Sequence, residues 1–196
     1  FLMKYKTGAT RAGKLTAVEV DILADSGSYP TMSRYLVMSA LCISGGPYKI
    51  PNARGRARAI VTNNPFTEAM RGVGANQVCF AYECQMDEVA RRIGMDPLEF
   101  RRHNFIQKGE TLMQEQPVPT AVLLPEMLAK VRASAGRGAG PVSGAGNGVW
   151  RRGVGYAANI AGYTRPDTEG EGYLSLEDDG SVQVRAGVTD VGAGQT

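Results

Sequence analysis

Two short segments carry residue types whose spacing suits ligand chemistry. Arg71-Gly72-Val73-Gly74 stands immediately before a run with helical periodicity. Glycines let backbone come close to a ligand, and the first turn of a helix offers unpaired N–H groups and a partial positive charge. An arginine there adds a planar fork of donors suited to oxo or phosphate oxygens. A tight loop with a solvated arginine explains the same pattern without any ligand. The second segment, Val188-Thr189-Asp190-Val191-Gly192-Ala193-Gly194-Gln195-Thr196, follows a strand-like stretch, and its small residues could admit a cofactor's polar edge. A glycine-rich loop after a hairpin is usually only a loop. Neither segment is a Walker P-loop, since no Gly-Lys-Ser/Thr follows the glycines. Arg152-Gly153-Val154-Gly155-Tyr156-Ala157 lacks the third glycine and following helix of a dinucleotide fingerprint.

Conventional catalytic groups are sparse, and none is assigned within the chain. His103, the only histidine, precedes Asn104-Phe105 at a predicted helix end and reads as a surface or capping residue. Cys79 and Cys84 fall in the long helical run and read as buried, inert thiols. Asp87 and Glu88 read as solvated helix charges. With three cysteines, none in a C-x-x-C pair, and one histidine, no zinc or iron–sulfur site can be assembled. The sparse, odd cysteine count argues against a disulfide framework and fits a reducing compartment. Net charge is +3, and basic residues such as Arg71, Arg91, Arg101 and Arg151 are scattered. Aromatics make up 7% of the chain without RNP-like spacing, which disfavours a nucleic-acid surface. No window approaches the roughly 18 apolar residues of a transmembrane helix.

The elements that must position these loops are legible in part. Leu15 to Ala24 alternates, with Val18, Val20 and Ile22 on one face and Ala17, Glu19 and Asp21 on the other. The turn Arg11-Ala12-Gly13-Lys14 would join it to an earlier strand around Leu2 to Lys6. Tyr29 to Ile43 suits a short helix, ended by Gly45-Gly46-Pro47, and Arg56 to Thr62 reads as another strand. The spacing of Val78, Tyr82, Met86, Val89 and Ile93 predicts a helix over 75–93, stopped by Gly94. Asp96 as N-cap, Pro97 at N1 and Glu99 at N3 start a second helix. Residues 134–148 are too rich in glycine to bury a core and read as a connector. They divide a first segment, 1–133, from a β-rich one, 149–196, in which Asp178-Asp179-Gly180-Ser181 marks a hairpin. The expected class is α+β, with mixed or antiparallel sheets and packed helices.

Several segments resemble the molybdopterin-binding large subunit of the xanthine dehydrogenase/aldehyde oxidase family. Gly46-Pro47-Tyr48-Lys49-Ile50-Pro51-Asn52 is similar to the family's Tyr-x-Ile-Pro-Asn segment. Ala69-Met70-Arg71-Gly72-Val73-Gly74-Ala75-Asn76-Gln77 is close to its Ala-[aromatic or Met]-Arg-Gly-[Phe]-Gly-x-x-Gln signature. Glu83, Asp87-Glu88-Val89-Ala90, Gly94-Met95-Asp96-Pro97 and Arg101 to Asn104 continue the match, and Asp190 to Thr196 resembles the later cofactor loop. The similarity covers essentially the whole chain except the glycine connector.

The resemblance implies that Arg71 and Gly72 lie beside a molybdenum–molybdopterin cofactor, in a dinucleotide form, and that Val191, Gly192, Gly194 and Gln195 approach its pterin. The glutamine is displaced relative to the family's Gly-Gln-Gly. Val73 stands where purine-oxidising members carry an aromatic residue. Ser39 stands where xanthine enzymes hold a substrate arginine. Both departures point to a non-purine heteroaromatic or an aldehyde as substrate, hydroxylated with water-derived oxygen. The resemblance also implies iron–sulfur clusters and FAD on other domains or subunits, a cytoplasmic location with a periplasmic one open, and no nucleic-acid partner. In family order the glutamate base lies beyond Thr196 and an earlier Gly-Gly-Phe-Gly-like loop before Phe1, so the isolated chain is expected to be inactive. Two other readings stand beside this one: a structural remnant of the fold that binds no cofactor, and a standalone anion-binding module.

Overall fold

The computed structural model describes residues 1–135, 155–160 and 171–187. Strand β1 (Leu2–Ala9) and strand β2 (Leu15–Gly27) pair antiparallel, with Tyr5 opposite Val20 and Met3 opposite Ile22. The turn between them closes through Gly13 N–H donating to the Thr10 carbonyl and Thr10 N–H to that of Lys14. Helix α1 (Ser33–Cys42) crosses over to strand β3 (Ala53–Val61), which lies parallel to β2. The order β1-β2-β3 is therefore a mixed sheet, one of the two sheet types the sequence left open.

One face of this sheet is the core face. Val18, Val20, Ile22 and Ala24 alternate inward along β2, and helix α2 (Ala75–Ile93) lays Val78, Tyr82, Met86 and Val89 against the principal cluster. Each fully buried branched or aromatic side chain contributes about 1.5–3 kcal/mol of transfer free energy. Helix α2 ends where the sequence says it should, with Gly94 in the left-handed region accepting no side-chain penalty. Helix α3 (Pro97–Asn104) begins on the predicted cap: Asp96 Oδ1 accepts from the N–H groups of Leu98 and Glu99, both at 3.0 Å. At its other end Asn104 is buried, donating to the Gly13 and Phe100 carbonyls and accepting from Leu15 N–H. One amide thus ties α3 to the start of β2.

Helix α4 (Leu124–Ala135) has no counterpart in the periodicity reading. It takes in Ser134 and Ala135, the first two residues of the expected connector; the rest of that stretch, 136–148, lies outside the described residues. The hairpin forms as expected from strands β4 (Gly172–Leu176) and β5 (Val182–Ala186), with Leu174 opposite Val184 and Leu176 opposite Val182. Among the described residues, no helix is long and apolar enough to cross a membrane.

Candidate functional site

Residues 62–74 form the loop that carries Arg71, and two carboxylates, Asp25 and Glu68, anchor it. Asp25, at the end of β2, accepts from Thr62 Oγ1 at 2.6 Å, Asn64 Nδ2 at 2.5 Å and Gly27 N–H at 2.9 Å. Thr67 Oγ1 donates to the Asp25 carbonyl. Further along, Glu68 reaches the start of α1, where its Oε1 accepts from Thr31 Oγ1 (2.6 Å), Thr31 N–H (3.1 Å) and Met32 N–H (2.9 Å). A carboxylate there satisfies orphan donors and faces the positive end of the helix.

The Thr31 hydroxyl, then the Met32 backbone, hold the Glu68 carboxyl below the usual carboxylate range. A depressed folded pKa means stabilisation present at neutral pH and lost as pH falls through that folded value. We expect Glu68→Gln to flatten part of the acid limb of a plot of thermal midpoint against pH. An acid limb unchanged from the parent would show that the Glu68 contacts do not hold the loop.

Gly72, Val73 and Gly74 have φ of +98°, +41° and +89°. Three consecutive left-handed residues reverse the chain into α2, and Gly74 is the residue at the helix N-cap. A Cβ on Gly74 would lie 2.8 Å from Ala40 Cβ and 3.1 Å from the Leu36 carbonyl oxygen, so the loop seats directly on α1. Val73 is strained, since a β-branched residue rarely adopts positive φ. It is held by packing on a small cluster of Ala24, Leu36 and Val37. Gly74→Ala should therefore destabilise the fold by about 1–3 kcal/mol, through both the φ and the contact with α1. Chemical denaturation measures this, and a neutral substitution would refute the close seating.

The sequence-predicted residues are brought together only in part. Arg71 is exposed, and its guanidinium has no hydrogen bond or ion pair among the described residues. Its carbonyl accepts from Asn76 Nδ2 at 2.8 Å, which fixes the loop without using the fork. Gln77, in the first turn of α2, keeps a buried Oε1 without a partner among the described residues. Ser39 is half-buried on α1, one residue before the Ala40 that Gly74 touches. Val191, Gly192, Gly194 and Gln195 lie outside the described residues.

The buried-thiol reading of Cys79 and Cys84 is corrected, and the structure adds partners to Asp87 and Glu88. Cys84 is exposed and Cys79 half-buried, because α2 turns its Cys84 flank away from the sheet. Cys79, whose thiol burial pushes up in pKa, lies within 4.0 Å of the Ala158 carbonyl. Asp87 is not merely solvated: its Oδ1 accepts from Arg101 Nη1 at 2.7 Å. Glu88 bridges Arg91 and Arg92 on the same helix.

Periodicity also missed the most buried charges. Arg101 is 1% exposed and Glu83 6%, and they pair through Nε and Oε2 at 2.8 Å. Tyr48 donates its hydroxyl to Glu83 Oε1 at 2.5 Å, and Arg101 Nη2 donates to the Glu83 carbonyl. Burial first, and then the Glu83 charge, push the Tyr48 phenol far above its usual range, so it stays a donor. The only sequence signal was that Glu83 and Arg101 both fall in family-like segments. This network joins α3 to α2, the helix that begins at the Arg71 loop.

Comparison with known proteins shows the family. Residues 1–105 match the molybdopterin cofactor-binding domain. The aldehyde oxidoreductase of Megalodesulfovibrio gigas is 34% identical over 194 residues, covering 98% of this chain and 21% of that protein. The nicotinate dehydrogenase large molybdopterin subunit of Eubacterium barkeri is 39% identical over 133 residues, covering 68% of the chain and 31% of the relative. Among solved structures, the aldehyde oxidoreductase from Desulfovibrio gigas superposes with a TM-score of 0.64 at 40% identity, over 69% of this chain and 15% of that one. The chain belongs to the molybdopterin cofactor-binding domain family found in aldehyde oxidoreductases and xanthine dehydrogenases. It spans less than a third of the length of these relatives.

Proposed function

We propose that the chain is one part of the molybdenum-cofactor subunit of a hydroxylase that inserts water-derived oxygen into a heteroaromatic or aldehyde substrate. The observation that carries this reading is the unengaged Arg71 fork. It stands on a loop whose Gly72 and Gly74 open the backbone at the first turn of α2. A strained, well-anchored loop presenting an idle guanidinium is suited to an anionic or oxo-bearing ligand. The unpartnered Gln77 Oε1, in the first turn of α2, marks a second polar group with no protein partner among the described residues. The residues present therefore fit a molybdenum–molybdopterin group, which would supply the redox chemistry.

In this reading Arg71 donates to the group's oxygens, and Gly72 lets the main chain approach it. Val191, Gly192, Gly194 and Gln195 serve the pterin from the later loop. Val73 and Ser39 face substrate, and their small size favours a non-purine ring or an aldehyde. The catalytic base comes from outside this chain, as do the iron–sulfur clusters and FAD that carry electrons away. The pterin is a dinucleotide form and the assembly is cytoplasmic. Residues 1–133 form the first cofactor-binding segment and 149–196 begin the second, joined by 134–148.

The test is metal content measured on the isolated chain and on the chain co-expressed with the remaining segments of a full-length subunit and its iron–sulfur and flavin partners. Molybdenum and hydroxylase activity are expected only in the complete assembly. An assembly that forms without molybdenum would make the chain a structural remnant. Phosphate-dependent stabilisation of the isolated chain, read as a rise in thermal midpoint, would favour an anion-binding module.

A further inference from the structure

We propose that the outward face of the β1-β2-β3 sheet is a docking surface for an acidic protein partner, one that presents aspartate and glutamate side chains. The proposal is independent of the cofactor reading. Because β2 turns Val18, Val20, Ile22 and Ala24 inward, its register places every charged residue of the three strands on the opposite side. Lys4 sits opposite Asp21, which sits opposite Arg56; Lys6 sits opposite Glu19, which sits opposite Arg54. Two rows of positive, negative, positive thus cross the sheet. With Arg58, five cations face three carboxylates, of which Asp25, at the end of β2, is taken up by Thr62, Asn64 and Gly27.

Most of that positive charge is idle. Lys4, Lys6, Arg54 and Arg56 are exposed and make no hydrogen bond or ion pair among the described residues. Arg58 is the exception: its Nη2 holds both Asp21 oxygens, at 2.9 and 3.0 Å. Even so, Arg58 Nε is buried without a partner among the described residues. A groove of about 410 Å³ opens at one end of the face, with Lys6, Glu19, Asn52 and Arg54 in its lining.

The arrangement selects among polyanions. A phosphate backbone laid across the face would pass over Glu19 and Asp21, and no aromatic side chain stands on the outward positions of the strands to stack a base. A lipid headgroup layer presents the same continuous negative charge. Discrete carboxylates on a protein can meet the two flanking cation lanes while avoiding the central acidic one. Arginine forks bind carboxylates bidentately, and arginine is enriched at protein interfaces.

The experiment uses the full chain and the fluorescence anisotropy of a fluorescein-labelled polyglutamate peptide, at low and physiological salt. Arg54→Glu/Arg56→Glu should weaken binding at least about tenfold, because rim charges act through complementarity and screening. Lys4→Glu/Lys6→Glu, on the other lane, should weaken it as well and serves if the first pair disturbs β3. Arg91→Glu/Arg92→Glu, an equal charge change on α2, should weaken it far less. The proposal is overturned if polyglutamate does not bind, or if all three double variants lose the same affinity, which would leave net charge alone. It is overturned equally if a DNA oligonucleotide of matched charge or phosphatidylserine vesicles bind more tightly than the peptide.

Discussion

Replacing Arg101 with methionine is expected to lower folding stability by about 3–5 kcal/mol, measured by urea denaturation of the chain. The loss comes from stranding Glu83, a carboxylate that is 6% exposed and would retain only the Tyr48 hydroxyl and whatever solvent can reach it. Burial opposes the Arg101 charge, but Glu83, Tyr48 and Asp87 together hold its pKa above the ordinary arginine value. Arg101 is thus kept charged by its partners rather than by access to water. Removing both charges together, as Arg101→Met with Glu83→Gln, should cost less than the two single losses added, because no unpaired ion remains. A single Arg101→Met variant within about 0.5 kcal/mol of the parent would mean the network contributes nothing, since changes of that size are ordinary for surface sites.

Arg71→Ala in a complete assembly should lower molybdenum occupancy or turnover at least about tenfold, with the apo fold kept. The guanidinium supports no contact among the described residues, so its loss leaves the loop intact. Losing a charge-assisted donor from an oxo or hydroxo ligand is worth about 1.5–3 kcal/mol. Arg71→Lys should recover only part of it, because an ammonium is a point donor rather than a planar fork. Metal content and single-turnover reduction of both variants decide the matter. If both load metal and reduce like the parent, Arg71 is a surface arginine and the site assignment fails.

Much of the local structure was written in short-range patterns. Helix 75–93 came from a stripe at spacings of three and four, the start of α3 from Asp96-Pro97-x-Glu99, and the hairpin from Asp-Asp-Gly-Ser between two alternating runs. Each of these signals depends only on neighbours a few residues apart, so one sequence carries them. Helix α4 was missed although Leu124, Met127, Leu128 and Val131 keep the same spacing of three and four, because Pro125 and the glycine-rich stretch that follows mask the period.

The candidate site divides in the same way. The residue types and glycines of Arg71 to Gly74 were legible, and they determined that a tight turn with a donor fork precedes a helix. That the turn is three consecutive left-handed residues seated on Ala40, and tied to the α1 N-terminus by Glu68, only the tertiary structure decided. The Glu68 contacts span 36 and 37 residues, and the Arg101–Glu83 pair joins two helices across a sequence gap of 18. The basic residues likewise looked scattered along the chain. Pairing β3 beside β2 put Arg54, Arg56 and Arg58 on one face, because side chains alternate along a strand and register is set by its neighbour. Spacing within the chain specifies what each segment can form; which charges meet, and which stay unpaired, depends on contacts between segments that no local pattern records.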